Sequence, residues 1–177
     1  MNLLYRQWMK IGPSPIGYGF GDYNLSWQIN PSAKDRIYLE GYFGQDKANI
    51  SESTFDVGLG LQWRNYAGSA HWEHDGHKSR SHHVLYFSGY DSHSILRQDI
   101  SSISLDTHIR TSGYKGDIKW NNGYLGLDLT HFDVLPQNPY SEGLYSTEGP
   151  IQKSQNAWEA SIYGGYQAIF ADRWRIH

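Results

Sequence analysis

The chain has 177 residues, with 15 Lys and Arg against 18 Asp and Glu, a formal net charge of −3, 38% hydrophobic residues and no cysteine. Its length suits one domain with a real core, its scattered basic residues lack the concentrated field of a dedicated nucleic-acid binder, and disulfides, thiolate metal sites and thiol catalysis are excluded. Aromatics make up 15%, with 14 Tyr and 7 Trp, beside 19 Gly, a pairing that suits long strands with close backbone approaches and amphipathic rings at a water boundary.

The first residues, MNLLYRQWMKIGPSP, hold only short apolar pieces broken by Arg6, Gln7 and Lys10, too little for a signal-peptide core. Nowhere does the long apolar run of a membrane helix occur. A β-barrel crossing stays open, because its signal is alternation and not hydropathy.

Period-two patterning dominates. From Asp22 to Ile29, Tyr23, Leu25, Trp27 and Ile29 alternate with Asp22, Asn24, Ser26 and Gln28. After the turn NPSAKD, Ile37, Leu39, Gly41 and Phe43 share one face of the next strand, and the two strands make a hairpin. A third strand opens with Phe55, Val57, Leu59, Leu61 and Trp63. Its phase changes near Asn65, where Ala70 and Trp72 take over the apolar face, and a β-bulge is expected there. The fourth spans roughly Ser81 to Tyr90. The fifth carries Ile103, Leu105 and Ile109, with a second phase change near Gly113, and runs to Trp120. Leu125, Leu127 and Leu129 mark the sixth, Trp158 to Phe170 the seventh, and an eighth begins at Trp174.

The connections alternate in length. Tight turns at NPSAKD, DGHKS, NNG and ADR recur about every 45 to 50 residues. Between them lie the polar links QDKANISES, DSHSILRQD and LPQNPYSEGLYSTEGPIQKSQ. The expected fold is all-β: an antiparallel up-and-down transmembrane β-barrel segment of about 7–8 strands, with short periplasmic turns and long extracellular loops. A soluble barrel that buried its polar face would have to bury Glu40 and Asp128, a cost that a sandwich with apolar faces inward avoids.

The stretch PIGYGFGDYNLSWQINPSAKDRIYLEGYFGQDK resembles a hairpin in the barrel of TonB-dependent outer-membrane receptors, especially those of Bacteroidetes. WRNYAGSAHWEH, NGYLGLDLTHFDVLP and AWEASIYGGYQAIFADRWRI resemble later strands of that barrel, in the same order. The resemblance covers nearly the whole chain, and its weight lies in the ordered set. It implies that residues 1–177 are an internal piece of such a barrel, without signal peptide or plug, in the outer membrane. It further implies import of a nutrient such as a siderophore, cobalamin or glycan. The implied partners are outer-membrane lipid, the remaining barrel and plug, and the TonB complex acting through the plug. The other reading is a self-contained small β-barrel that binds a ligand or stabilises the envelope, closing between the strand near Tyr23 and the one near Trp174.

The histidines of HWEHDGHKSRSHH gather where a periplasmic turn is expected. A metal there would need His74, His77 and either His82 or His83 to converge, whereas strand geometry puts His71 and Glu73 on one face and His74 on the other. A solvated turn is the plainer reading. Glu40, Asp128 and Ser101–Ser102 have no attendant catalytic motif, so no enzyme activity and no cofactor are expected. Tyr140 and Tyr145, in the long 135–155 link, are the candidate ligand contacts, since aromatic loop tips stack on sugars or siderophores. Tyr23, Trp27, Phe43, Trp63, Trp120, Trp158 and Trp174 are the candidate interfacial aromatics.

Overall fold

The computed structural model describes residues 5–11, 14–52, 55–143, 153–170 and 174–176. Its elements are β1 (Tyr5–Ile11), β2 (Ser14–Ile29), β3 (Asp35–Glu52), β4 (Val57–Asp75), β5 (Ser79–Gln98), β6 (Ser101–Trp120), β7 (Gly123–Glu142), β8 (Gln155–Tyr166), β9 (Ala168–Phe170) and β10 (Trp174–Ile176). The first eight form one sheet in sequence order, and every neighbouring pair is antiparallel. The last two pair only with each other among the described residues. The all-β, up-and-down expectation therefore holds, in an open sheet of the kind a barrel segment would make.

Turn chemistry explains the sharp reversals at one end. Ser32 Oγ donates to Asp35 Oδ2 at 2.6 Å and accepts from the Lys34 amide at 3.1 Å, folding the β2–β3 turn on itself. The Gly76 amide donates to the Ser79 carbonyl at 2.8 Å to close the β4–β5 turn. At the opposite end the left-handed backbone falls on Asp56 (φ 48) and Asp99 (φ 53), and aspartate is among the few side chains that tolerate it.

Glycine and aromatic side chains are matched across strands. A Cβ on Gly113 would lie 2.5 Å from the Tyr86 ring and 2.7 Å from the Leu129 carbonyl oxygen, and one on Gly68 would lie 2.5 Å from the Phe87 ring. Gly113 faces Tyr86 in register, as Gly68 faces Phe87. Each ring therefore lies flat over a glycine backbone on the next strand, which covers the gap a missing side chain leaves in a strand.

The structure differs from expectation in four places. β1 lies beyond the first expected strand, and β2 starts well before Asp22. QDKANISES and DSHSILRQD are largely strand, so β3 and β5 run on to short reversals and only the β7–β8 connection is long. No register shift accompanies the phase changes near Asn65 and Gly113, since pairing is continuous through both. The bulge lies elsewhere: Asp106 pairs with Asn138 and His108 with Leu135, so Pro136 and Gln137 together oppose Thr107. Proline cannot donate to the ladder, and this part of β7 pairs with β6 alone, an edge where Pro136 and Pro139 are tolerated. Finally, Trp174–Ile176 pairs with Ala168–Phe170, and β2 sits between β1 and β3, so the strands near Tyr23 and Trp174 are not neighbours.

One sheet has two faces and covers neither. Among the described residues the only buried hydrophobic side chain is Val84. The chain exposes 13415 Å², where a compact monomer of its mass would expose about 8,800 Å².

Candidate functional site

Cross-strand register assigns every side chain to a face. The first face carries Leu25, Trp27 and Ile29 on β2, Ile37 and Leu39 on β3, Ala70 and Trp72 on β4, and Leu85 and Phe87 on β5. It continues through Tyr114, Ile118 and Trp120 on β6, Leu125, Leu127 and Leu129 on β7, and Trp158 and Ile162 on β8. Most of these are exposed, Leu85 at 61% and Ile162 at 78%. The result is an apolar band beside the tight turns, interrupted on β5 by Ser79, Ser81 and His83. On β8 it runs from Trp158 to Tyr166, a path of roughly 26 Å at about 3.3 Å per residue, or about 20 Å in height at a ~40° strand tilt.

Aromatic rings edge this band. Away from the turns, Tyr23 meets Phe43 at 6.2 Å, Tyr66 meets Phe87 at 6.5 Å and His131 meets Trp158 at 4.5 Å between centroids. Toward the turns, Trp72 stacks on His83 at 5.1 Å and its Nε1 donates to Asp35 Oδ1 at 3.0 Å.

Immediately past the outer rings the first face turns charged. Asp91 on β5 accepts from Arg110 Nη2 on β6 at 3.2 Å and lies 3.8 Å from Arg64 Nη2 on β4. Asp133 on β7 is 3.3 Å from His108 Nε2 and 4.0 Å from Arg110 Nη1. One row farther out His93 bonds Asp106 at 2.6 Å. Both arginines are about half exposed, at 48% and 50%, whereas Asp91 and Asp133 are at 20% and 23%, so the guanidinia form the outer surface of the belt. The hydrogen bond to Asp91 raises the pKa of Arg110 against partial burial, with Tyr66 adding to it. Asp133 sits below its ordinary value: burial pushes it up, but hydrogen bonds from Ser154 and His108 and the Arg110 charge outweigh that.

The second face has the opposite polarity in each half. Beside the turns it is polar: Arg36 pairs with Glu73 at 3.0 Å and with Asp75 at 3.3 Å, and Arg80 also pairs with Asp75. His71 Nε2 meets Ser69 Oγ at 3.0 Å, His71 Nδ1 meets His82 Nε2 at 3.3 Å, and His82 Nδ1 lies 3.7 Å from Asp117, a chain of hydrogen-bonding groups across three strands. Beyond the band the same face becomes apolar, with Ile50, Leu59, Leu96 and Ile103 in one row and Leu61 and Leu105 in the next. Tyr18 there donates to Asp46 at 2.6 Å, which holds the phenol above its usual pKa.

Asp35 lies at the β2–β3 turn. It accepts from Ser32, from His74 Nδ1 at 2.8 Å and from Trp72, and its pKa falls to about 2, the Ser32 bond contributing most, then His74, then Trp72.

The histidines that a metal at this turn would need are not brought together. His74 and His82 project from opposite faces, because His74 pairs with Ser81 and His82 with Glu73. His77 is exposed in the turn, and His83 bonds Tyr114 OH at 2.7 Å on the first face. Among the described residues no group of three His, Cys, Asp or Glu is placed to hold a metal ion. Of the interfacial aromatics, Tyr23, Phe43 and Trp158 edge the band and Trp120 sits at its turn side. Trp27 lies inside the band, and Trp63 projects from the second face opposite Asp46 and Ser92. Tyr140 is 60% exposed, with its hydroxyl donating to Glu142 Oε1 at 3.1 Å; Tyr145 and Trp174 lie outside the residues whose side chains are described. Sequence reasoning missed the Arg64–Asp91–Arg110–Asp133 belt, although counting outward from the DGHKS turn already sets Arg64 opposite Asp91. No family model, curated protein or solved structure matches the chain.

Proposed function

We propose that this chain forms part of the β-barrel of a TonB-dependent outer-membrane receptor that imports a nutrient such as a siderophore, cobalamin or glycan. The observation that carries the membrane part of the reading is the apolar, aromatic-edged band of about 20 Å on the first face, backed by a polar second face. A band of that height suits lipid on one side and an aqueous lumen on the other. Both faces of the sheet are open, as neighbours of lipid and lumen must be before the barrel closes, and an open strand edge within a bilayer requires further strands. The receptor part rests on the ordered resemblance of the hairpin segments. Transport is then the activity, with outer-membrane lipid, the rest of the barrel and plug, and the TonB complex as partners.

The test has two readouts. The epitope-tagged chain, expressed from its own locus, is followed through membrane fractionation, where the expected place is the dense outer-membrane fraction. A deletion strain is grown with single iron-siderophore, cobalamin or glycan sources, and the expected defect on one of them is reproduced by deleting TonB. Recovery in the soluble fraction refutes the membrane reading, whereas outer-membrane recovery with growth unaffected by TonB on every source refutes the receptor reading.

A further inference from the structure

From the charged belt we infer a binding site for the phosphate of a lipid headgroup, formed by Arg64 and Arg110 at the outer edge of the apolar band. The inference rests on the membrane reading above and adds a ligand to it.

Position comes first. Tyr66, at the rim of the band, is followed two residues farther out on the same face by Arg64, and Arg110 stands in the row of Tyr66 itself. Acyl chains lying against Leu85, Phe87 and Leu129 would bring their headgroups to that level. Charge comes second. Arg110 is bonded to Asp91 and Tyr66, Arg64 lies 3.8 Å from Asp91, and both guanidinia stay about half exposed, so N–H donors remain for a ligand. Asp133 lies at the limit of ion-pair distance from Arg110 and nearer to His108. Asp106 lies farther out on the same face, bonded to His93 at 2.6 Å. Guanidinium is the side chain best matched to phosphate, through paired N–H donors. Asp91 holds Arg110 by a hydrogen bond at 3.2 Å, so less of that side chain's rotamer freedom remains to be lost when phosphate binds.

The test uses the protein with the strands that complete its barrel, extracted from its native membrane and reconstituted into vesicles of phosphatidylcholine alone or with a minor share of a phosphomonoester lipid. Insertion is read by protease protection. Headgroup binding is read by the phosphomonoester lipid that stays with the protein after mild detergent extraction and by the ³¹P line of that lipid. Enrichment with the wild type, falling roughly tenfold in Arg64→Gln/Arg110→Gln while Arg36→Gln at the turn end leaves it unchanged, is the expected result. Equal enrichment in the double variant overturns the site. Inorganic phosphate that displaces the lipid at equal concentration overturns the lipid as its occupant. Insertion without any headgroup preference overturns the inference and leaves the membrane reading intact, whereas failure of the completed barrel to insert into either vesicle removes both.

Discussion

Leu85→Arg separates a lipid-facing band from an ordinary wet surface. Leu85 is 61% exposed, so in water its replacement belongs to the class of surface changes worth within about 0.5 kcal/mol. In a bilayer the same position is costly. The middle of the apolar run on β8 falls at Ile162, whose row across the sheet holds Leu127, Gly116 and His83, which puts Leu85 about 5 Å from the midplane at about 3.3 Å per residue and a ~40° tilt. Arginine there costs about 2–4 kcal/mol on the lipid face of a barrel, a factor of about 30 to 700 in the folding equilibrium. The assay is guanidinium unfolding and refolding of the completed barrel in phosphatidylcholine vesicles, followed by tryptophan fluorescence. Leu96→Arg serves as the control: Leu96 is 44% exposed on the second face beyond the band, and about 0.5 kcal/mol or less is expected there. A Leu85→Arg variant as stable as the wild type, or no more affected than Leu96→Arg, refutes the assignment of the first face to lipid.

Gly113→Ala places a methyl group against both the Tyr86 ring and the Leu129 carbonyl oxygen, and the backbone atom cannot rotate away; a loss of about 1–3 kcal/mol is expected in the same unfolding assay, with Gly19→Ala, whose Cβ meets nothing, as the neutral comparison. The Asp35 carboxyl titrates near 2, below its ordinary 3.8. A depressed carboxyl contributes its stability above the unfolded value and loses it as pH falls through the folded one, so the turn holds from neutral pH to about 4 and loosens toward 2. Side-chain carboxyl NMR reads that midpoint, and Ser32→Ala should move it upward. Because His74 and His82 leave the sheet on opposite faces, nickel titrations followed by calorimetry should give separate weak contributions from His74→Ala and His82→Ala, with the double variant additive; a single site lost in either variant would contradict the register.

Much of the fold was legible because period two survives sequence noise: the alternation from Tyr23 to Ile29 and from Leu125 to Leu129 assigns strand and face at once. The polar links were misread for a physical reason. In Gln45–Glu52 the apolar positions Ala48 and Ile50 are few and the others are Gln, Asp, Lys, Asn, Ser and Glu, mostly residues depleted in strands, yet pairing with β2 and β4 holds them extended. The sites were less legible. A histidine-rich stretch reads as one cluster in one dimension, while a strand deals its members to alternate faces. The belt is invisible in composition because Arg64, Asp91, Arg110 and Asp133 come from four strands and meet only through register.

The two phase changes in the sequence carry the most weight once their cause is known. An apolar pattern that changes parity within a strand has two explanations: an extra residue that turns the strand over, or a change of surroundings along a strand that runs straight. Unbroken pairing through Asn65 and Gly113 excludes the first. The surroundings of the first face therefore change from apolar to aqueous near Tyr66 and Ser112, while those of the second change the other way. A soluble sandwich does not ask for this, since its buried face stays buried along the whole strand. A sheet crossing a lipid layer and continuing beyond it does ask for it: lipid wets the first face up to the aromatic rim, water wets it above, and the apolar outer half of the second face needs cover from inside the barrel. On the proposed membrane reading the parity change near Tyr66 marks the membrane boundary, and the charged belt begins in that same row with Arg110 and Asp133.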